Sequence, residues 1–350
     1  MEKKRFYGID LARILSMFMV VILHILGQGG ILKVLSPDRP AAYFAAWWLE
    51  VASFGAVNCF AMISGFVGVN GKHKPSRLIG LWLQTVFYTL VITLCFFVFR
   101  PSLVAWKEWR CALFPVTAKQ YWYVTAYFLL FLLMPMLNAG MRKITRRSSA
   151  ILLAALTVGV VLLPYLLGTD PYKLGGDYSP LWLIVLYPFG AHFRRFGFPK
   201  ALDGKGRSLC IFLLCAAATA AGKAIPAIPS LYNYHSPTVL IGSVALFSFF
   251  VHTDPRGKIS KPLISFFAPT ALAVYIIHSH PLLWKYCWKG RTALFAADSA
   301  PLMILKVLGL SAAVFLVCAV IERIRMRLFR LLRIDNLIKK ADNTGEEQIH

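Results

Sequence analysis

Apolar stretches of about span length alternate with short polar connections from one end of the chain to the other. A helix that crosses a bilayer needs about 20 largely apolar residues. Ten such segments can be read at 9–28, 43–69, 78–99, 122–140, 149–168, 180–193, 208–225, 237–252, 265–284 and 301–322. The sixth is short and holds Pro188 and Gly190, so a broken or tilted helix is expected there; the second is long enough to tilt. From Arg323 to Arg333 arginines alternate with apolar residues, as in an amphipathic helix lying on a membrane surface. Residues 341–350 are polar and expected to fray. The predicted fold is all-α: a polytopic membrane bundle of about ten transmembrane helices. It forms one integral-membrane domain over 1–335, with a polar tail at 336–350.

Composition supports the bilayer as the first partner. The chain has 350 residues, 58% of them hydrophobic, with a mean hydropathy of +0.63. A soluble domain of this length does not need so much apolar surface. The net charge of +23 would suit nucleic acid, but the cations lie in short loops between apolar segments rather than on one soluble face with interleaved aromatics. Nucleic acid is therefore excluded as a partner. With the N-terminus inside, 25 of the 38 Lys and Arg fall on the inner side, 11 on the outer side, and Arg13 and Lys306 within or beside spans. That asymmetry places both termini in the cytoplasm. The basic N-terminus before an apolar run mimics a signal peptide, yet no small-residue cleavage site follows Gly27, and an uncleaved first span is expected. The seven cysteines are scattered, show no metal spacing and do not form a disulfide framework.

The informative positions are the polar ones inside spans. Arg13 and His24 are eleven residues apart, which on an α-helix is three turns with about 20° left over and about 16 Å along the axis. They share a face, and Asp10, three residues before Arg13, joins the stripe. A charge at the centre of a membrane helix costs about 2.5–3.5 kcal/mol on insertion scales, so such a row normally faces a bundle interior. Histidine can take and return a proton near neutral pH, and arginine stays charged and needs an anionic partner. Asp10 or a phosphate-bearing ligand would serve as that partner. The structural alternative is an Asp10–Arg13 salt bridge beside a His24 that bonds across helices.

Other polar positions invite the same weighing. Glu50 is an intramembrane acid that either belongs to a site or pairs with Arg39. Ser64 and Gly65 suit a close helix contact, with Ser64 able to bond across it. Tyr121 and Trp122 read as an interfacial aromatic belt, while Tyr127 lies deeper and is placed to line a cavity. Pro135 should kink its helix. Tyr275 and His278 lie one turn apart, and His278 is either a site member or an interhelical bond. The loop Lys72–Arg77 satisfies the charge rule by itself and is also placed to meet a phosphorylated ligand. Glycine-rich phosphate loop, zinc signature and Gly-x-Ser-x-Gly elbow are all absent.

In combination these residues resemble acyltransferase family 3, the integral-membrane O-acyltransferases of envelope polysaccharides and related glycans. The Arg-then-His spacing is matched by Arg13 and His24, and the Phe-x-x-x-Ser-Gly-Phe stretch by Phe60 to Phe66. The Trp-Tyr…Tyr…Pro run is matched by Trp122 through Pro135, and Tyr-x-x-His by Tyr275 and His278, with His280 before Pro281 a local departure. The soluble esterase-like domain that some members carry at the C-terminus is absent from the sequence. The resemblance implies transfer of an acyl group from cytoplasmic acyl-CoA, acetyl-CoA being expected, to a hydroxyl of a glycan or lipid-linked sugar acceptor, without a metal. It implies His24 as general base and Arg13 as its catalytic companion, with Asp10, Glu50, Arg77, Tyr127, Tyr275 and His278 binding substrate. Lys74 is expected to help draw the donor's phosphates. A bacterial plasma membrane follows from the same resemblance. The rival class is a secondary transporter or exporter of a lipid-linked glycan, which ten spans and a proline-broken helix would also suit.

Overall fold

The structure is a computed structural model that describes residues 5–174, 179–224 and 231–343. Helices stand at all ten expected segments, and no strand occurs among the described residues. They comprise α1 (Tyr7–Leu23), α2 (Pro40–Ser53), α3 (Gly55–Gly68), α4 (Pro75–Phe99) and α5 (Trp122–Lys143). Then follow α6 (Arg146–Leu156), α7 (Pro180–Phe196), α8 (Lys205–Ala224), α9 (Pro237–Val251), α10 (Ser260–Phe267), α11 (Ala271–His278), α12 (Ala300–Leu331) and α13 (Ile334–Asn343). Proline opens four of them, where its missing N–H costs nothing and its fixed φ suits the first turn. Ser179 and Ser236 cap α7 and α9 through their hydroxyls, accepting from the Leu181 and Val239 N–H groups.

Eight helical stretches among the described residues are long and apolar enough to cross a membrane, which makes this a multi-pass membrane protein. The remaining two expected spans are shorter: α7 has 17 residues and α9 has 15. Both are buried along most of their length, so protein rather than lipid covers them. α7 is continuous through Pro188, and α5 through Pro135, so neither proline ends its helix.

The closest helix crossing explains the small residues of the second span. A Cβ on Gly65 would lie 2.0 Å from the Tyr187 carbonyl oxygen, and one on Gly190 would lie 1.9 Å from that of Met62. α3 and α7 thus meet backbone to backbone at a reciprocal pair of glycines. Ser64 turns away from this contact and donates to the Phe60 carbonyl of its own helix at 2.9 Å.

Several expectations at the chain ends change. The arginine-alternating stretch continues α12 without a break as far as Leu331, because no glycine or proline interrupts it and Arg325 pairs with Glu322 one turn back. The separate amphipathic helix is α13, after a turn at Arg333 with φ 56°. It crosses the expected 335/336 boundary and docks on the start of α4: Asp342 accepts from the Ser76 N–H at 3.0 Å, the Ser76 hydroxyl at 2.9 Å and Lys74 at 3.1 Å. Of the end expected to fray, 341–350, residues 341–343 instead complete α13, with Asp342 bonded to α4, and 344–350 lie outside the described residues, as do Lys3 and Lys4.

α1 is the axis of the bundle. Its Ile9 and Ala12 join one large buried cluster, built mainly on α3, α5, α7 and α9. Its Met17, Val20 and Val21 join a second, built on α11 and α12. Between these cores the polar stripe of α1 faces an internal cavity.

Candidate active site

That cavity has a volume of about 860 Å³, within the usual range for a small-molecule site. Arg13, Arg77 and Ser64 line one end, Gln28, Glu50 and Asn233 the other, and His24, Tyr127 and Tyr275 the wall between. The same-face arithmetic for Arg13 and His24 holds because α1 is regular until Leu23. At His24 the winding widens into a π turn, His24–Gln28, closed by a 2.9 Å bond from the Gly29 N–H to the His24 carbonyl. The carbonyls this leaves are met by the 290–292 loop: the Thr292 hydroxyl donates to Ile25, the Gly290 N–H to Gln28 and the Thr292 N–H to Gly29.

The histidine of the first span and that of the ninth segment meet. His24 Nδ1 and His278 Nε2 are 2.8 Å apart. His278 Nδ1 sits against the Val274 carbonyl, which can only accept, so this nitrogen carries the hydrogen. In the neutral ring His278 Nε2 is then the acceptor, and His24 Nδ1 must donate to it. The remaining nitrogen, His24 Nε2, keeps its lone pair and bonds to no other side chain among the described residues. Backbone thus fixes one ring and that ring fixes the next, the orienting logic of a base held by a third group. Trp284 stands edge-on to His24 at 4.8 Å, and the Ser279 hydroxyl is 3.4 Å from both facing nitrogens. Neither residue was singled out by the sequence reading, since their approach depends on the loop that follows α11.

The basic end is partly neutralised. Asp10 accepts from Arg13 at 2.7 Å with one oxygen and from Arg5 at 2.6 Å with the other. The expected Asp10–Arg13 pair therefore forms, and with both Asp10 oxygens engaged the triad retains one net positive charge. A smaller hollow of about 430 Å³, lined by Arg5, Asp10 and Arg13, shares Arg13, Val67, Ala268 and Pro269 with the main cavity. Arg77 reaches the main cavity, whereas Lys74 is bound to Asp342 outside it.

At the other end Glu50 does not pair with Arg39, which donates to the Ala296 and Asp298 carbonyls. Glu50 is 5% exposed; its Oε1 accepts from the Tyr232 hydroxyl at 2.9 Å, and its Oε2 has no partner among the described residues. Tyr121 is also corrected. It is buried against Tyr275, 5.9 Å between ring centroids, rather than exposed in an aromatic belt, and Trp122 beside it lines the cavity. His280, the local departure from the motif, is buried and structural: its Nδ1 accepts from the Leu282 N–H and caps the next turn.

The structure thus brings Arg13, His24, Glu50, Arg77, Tyr127 and Tyr275 to one cavity and sets His278 directly behind His24. Asp10 holds Arg13 from the adjoining hollow. No group of three or more His, Cys, Asp or Glu side chains suited to a metal ion occurs among the described residues.

No curated protein and no solved structure matches the chain. A family model described as an acyltransferase domain matches residues 6–323, nearly the whole length and every cavity residue named above. With that match, on a multi-pass helical scaffold, the chain belongs to acyltransferase family 3.

Proposed function

We propose that this transferase moves an acyl group, acetyl in the first instance, from acyl-CoA to a hydroxyl of a cell-envelope glycan or lipid-linked sugar. The observation that carries the reading is the Val274–His278–His24 relay, which leaves Nε2 of a cavity-lining histidine as a proton acceptor. The thioester reaches His24 from the Arg13–Arg77 end, where the two guanidiniums hold the donor's phosphates. As the acceptor hydroxyl attacks the thioester carbonyl, its proton passes to His24 Nε2 and the carbonyl electrons move onto oxygen. The tetrahedral intermediate collapses, the C–S bond breaks, and the leaving thiolate takes the same proton back from Nε2. General-base assistance of this kind contributes about 10²–10⁴-fold.

The distribution of basic residues supports an orientation with the Arg13 end at the cytoplasm and both termini inside a bacterial plasma membrane. His24 then lies about 22 Å into the first span, in its outer half, where an extracytoplasmic acceptor can approach. The test is transfer of label from acetyl-labelled acetyl-CoA to a glycan fraction in inverted membrane vesicles. Wild type is expected to label the glycan and His24→Ala to lose at least about a hundredfold of the signal. Equal labelling by both proteins would refute His24 as the base.

A further inference from the structure

The segment that follows α11 carries three cations in close succession, Lys285, Lys289 and Arg291, all of them exposed. Lys285 lies 5.0 Å over the Tyr286 ring, and none of the three makes an ion pair or a side-chain hydrogen bond among the described residues. Cations close by in the fold are satisfied: Lys306 pairs with Asp298 at 2.7 Å, and Arg39 donates to the Ala296 and Asp298 carbonyls.

Neither topology nor lipid accounts for this cluster. On the orientation proposed above the loop is extracytoplasmic, where the positive-inside rule calls for few Lys or Arg. Lys285 and Lys289 are four positions apart on one π turn, Trp284–Trp288 with its Lys289 cap, and like charges at that spacing on a helix repel. Between Phe266 and Leu294 no large apolar side chain is exposed, whereas the spanning helix α12 exposes Leu302, Leu305 and Leu316. The loop therefore has the surface of a segment standing in water.

The loop is also fixed beside the base. The Gly290 and Thr292 N–H groups donate to the Gln28 and Gly29 carbonyls, which ties the cations to the turn whose Gly27 and Gln28 line the cavity. Trp284, next to Lys285, is the ring that stands edge-on to His24. An anionic chain held by these cations is thus held within a few residues of the ring that packs on the base.

We propose that Lys285, Lys289 and Arg291 form a docking surface for an acidic glycan, a polymer with anionic groups repeated along its chain, one hydroxyl of which is presented to His24. The inference rests on the acyltransferase reading and its orientation for the role of acceptor; docking itself is measured without turnover. Exposed charge pairs are individually weak, so recognition comes from several at once and from steering of the polymer to this end.

Lysine footprinting of the full chain in phosphatidylcholine nanodiscs provides the test, with amine-labelling rates read peptide by peptide in the presence of decagalacturonate or neutral maltodecaose. At about four times its half-saturating concentration the acidic oligomer is expected to slow labelling of Lys285 and Lys289 about fivefold. Maltodecaose should leave both rates unchanged, and Lys107, an exposed lysine of another loop on the same side, should label at one rate throughout. Arg291→Gln should raise the half-protecting concentration of the acidic oligomer about two- to fivefold. No protection by the acidic oligomer, equal protection by maltodecaose or at Lys107, or an unchanged midpoint in Arg291→Gln overturns the proposal. So does equal protection from phosphatidylglycerol nanodiscs without any oligomer, which would make the loop a lipid contact. Protection without any transfer of label from acetyl-CoA in wild type would sink the acyltransferase reading and leave the docking surface standing.

Discussion

If His278 works only by orienting His24, its removal should cost activity by a bounded amount. The perturbation is His278→Leu, which deletes the acceptor of the 2.8 Å bond from His24 Nδ1. Losing one neutral hydrogen bond and leaving a buried donor unmet is worth about 1–3 kcal/mol. The Ser279 hydroxyl, 3.4 Å from His24 Nδ1, is placed to take over part of that bond. The expected loss is therefore toward the lower end, on the order of 1–2 kcal/mol, or about 5- to 30-fold in acetyl transfer. His278→Gln should restore activity to within about threefold of wild type, its amide oxygen accepting from His24 while its N–H₂ donates to Val274. Initial rates of label transfer from acetyl-CoA in vesicles, normalised to folded protein, give both numbers. A His278→Leu enzyme as inactive as His24→Ala would make His278 itself a base. Activity unchanged in His278→Leu, or no rescue by glutamine, would show that the relay does not set the rate.

Other parts of the fold carry equally definite expectations. Gly190→Ala places its methyl 1.9 Å from the Met62 carbonyl oxygen, so α3 and α7 must part; the melting temperature should fall by several degrees, whereas alanine at Gly159, where nothing lies within 4 Å, should leave it unchanged. Glu322, 1% exposed, accepts from Arg325 through both oxygens and from Tyr88 and Gln84, so Glu322→Leu should destabilise by about 3–5 kcal/mol. Removing Arg325 as well should recover part of that loss in a denaturant titration, and a single variant as stable as wild type would contradict it. Contact with α4 pushes the Asp342 carboxyl up, but the Ser76 N–H and hydroxyl and the Lys74 ammonium outweigh this and hold it below the usual carboxylate range. A depressed folded-state value means that α13 docking is favoured above the ordinary carboxylate range and weakens as pH falls through the lowered value. Protection factors for hydrogen exchange over 334–343, each taken relative to the intrinsic rate at the same pH, should accordingly fall toward pH 3, and Asp342→Asn should show the lower protection already at neutral pH.

What could be read from the sequence was whatever depends on one regular helix. Arg13 and His24 share a face because eleven residues of unbroken α-helix lie between them, and Gly65 makes a backbone crossing because a missing side chain allows one. The meeting of His24 with His278, 254 positions away, follows from tertiary packing that no periodicity encodes. Glu50 is similar: the Arg39 alternative was reasonable by proximity in sequence, yet the 231–236 loop brings Tyr232 to it from 182 positions away. The aromatic belt failed at Tyr121 for the converse reason, since a ring at the end of a span is interfacial only when no neighbouring helix covers it, and here Tyr275 does. The surface helix was displaced from 323–333 to α13 because arginines can extend a membrane helix when, as at Glu322–Arg325, one of them is paired one turn back.

The change of winding at His24 ties these parts together. Just past the π turn comes Gly30, whose φ of 96° is left-handed, so carbonyls at this helix end lack helical donors. The Thr292 hydroxyl bonds to that of Ile25, the Gly290 N–H to that of Gln28 and the Thr292 N–H to that of Gly29. That loop follows directly on the segment bearing His278 and Trp284, so the bonds that hold the widened turn also hold the two aromatic partners of His24. Thr292→Val tests this coupling, because it deletes the hydroxyl bond to Ile25 and keeps the shape. The lost bond is worth about 1 kcal/mol, so acetyl transfer should fall about fivefold, with acetyl-CoA affinity unaltered. A parallel fall in both would mean that the loop supports the cavity as a whole rather than the histidine pair.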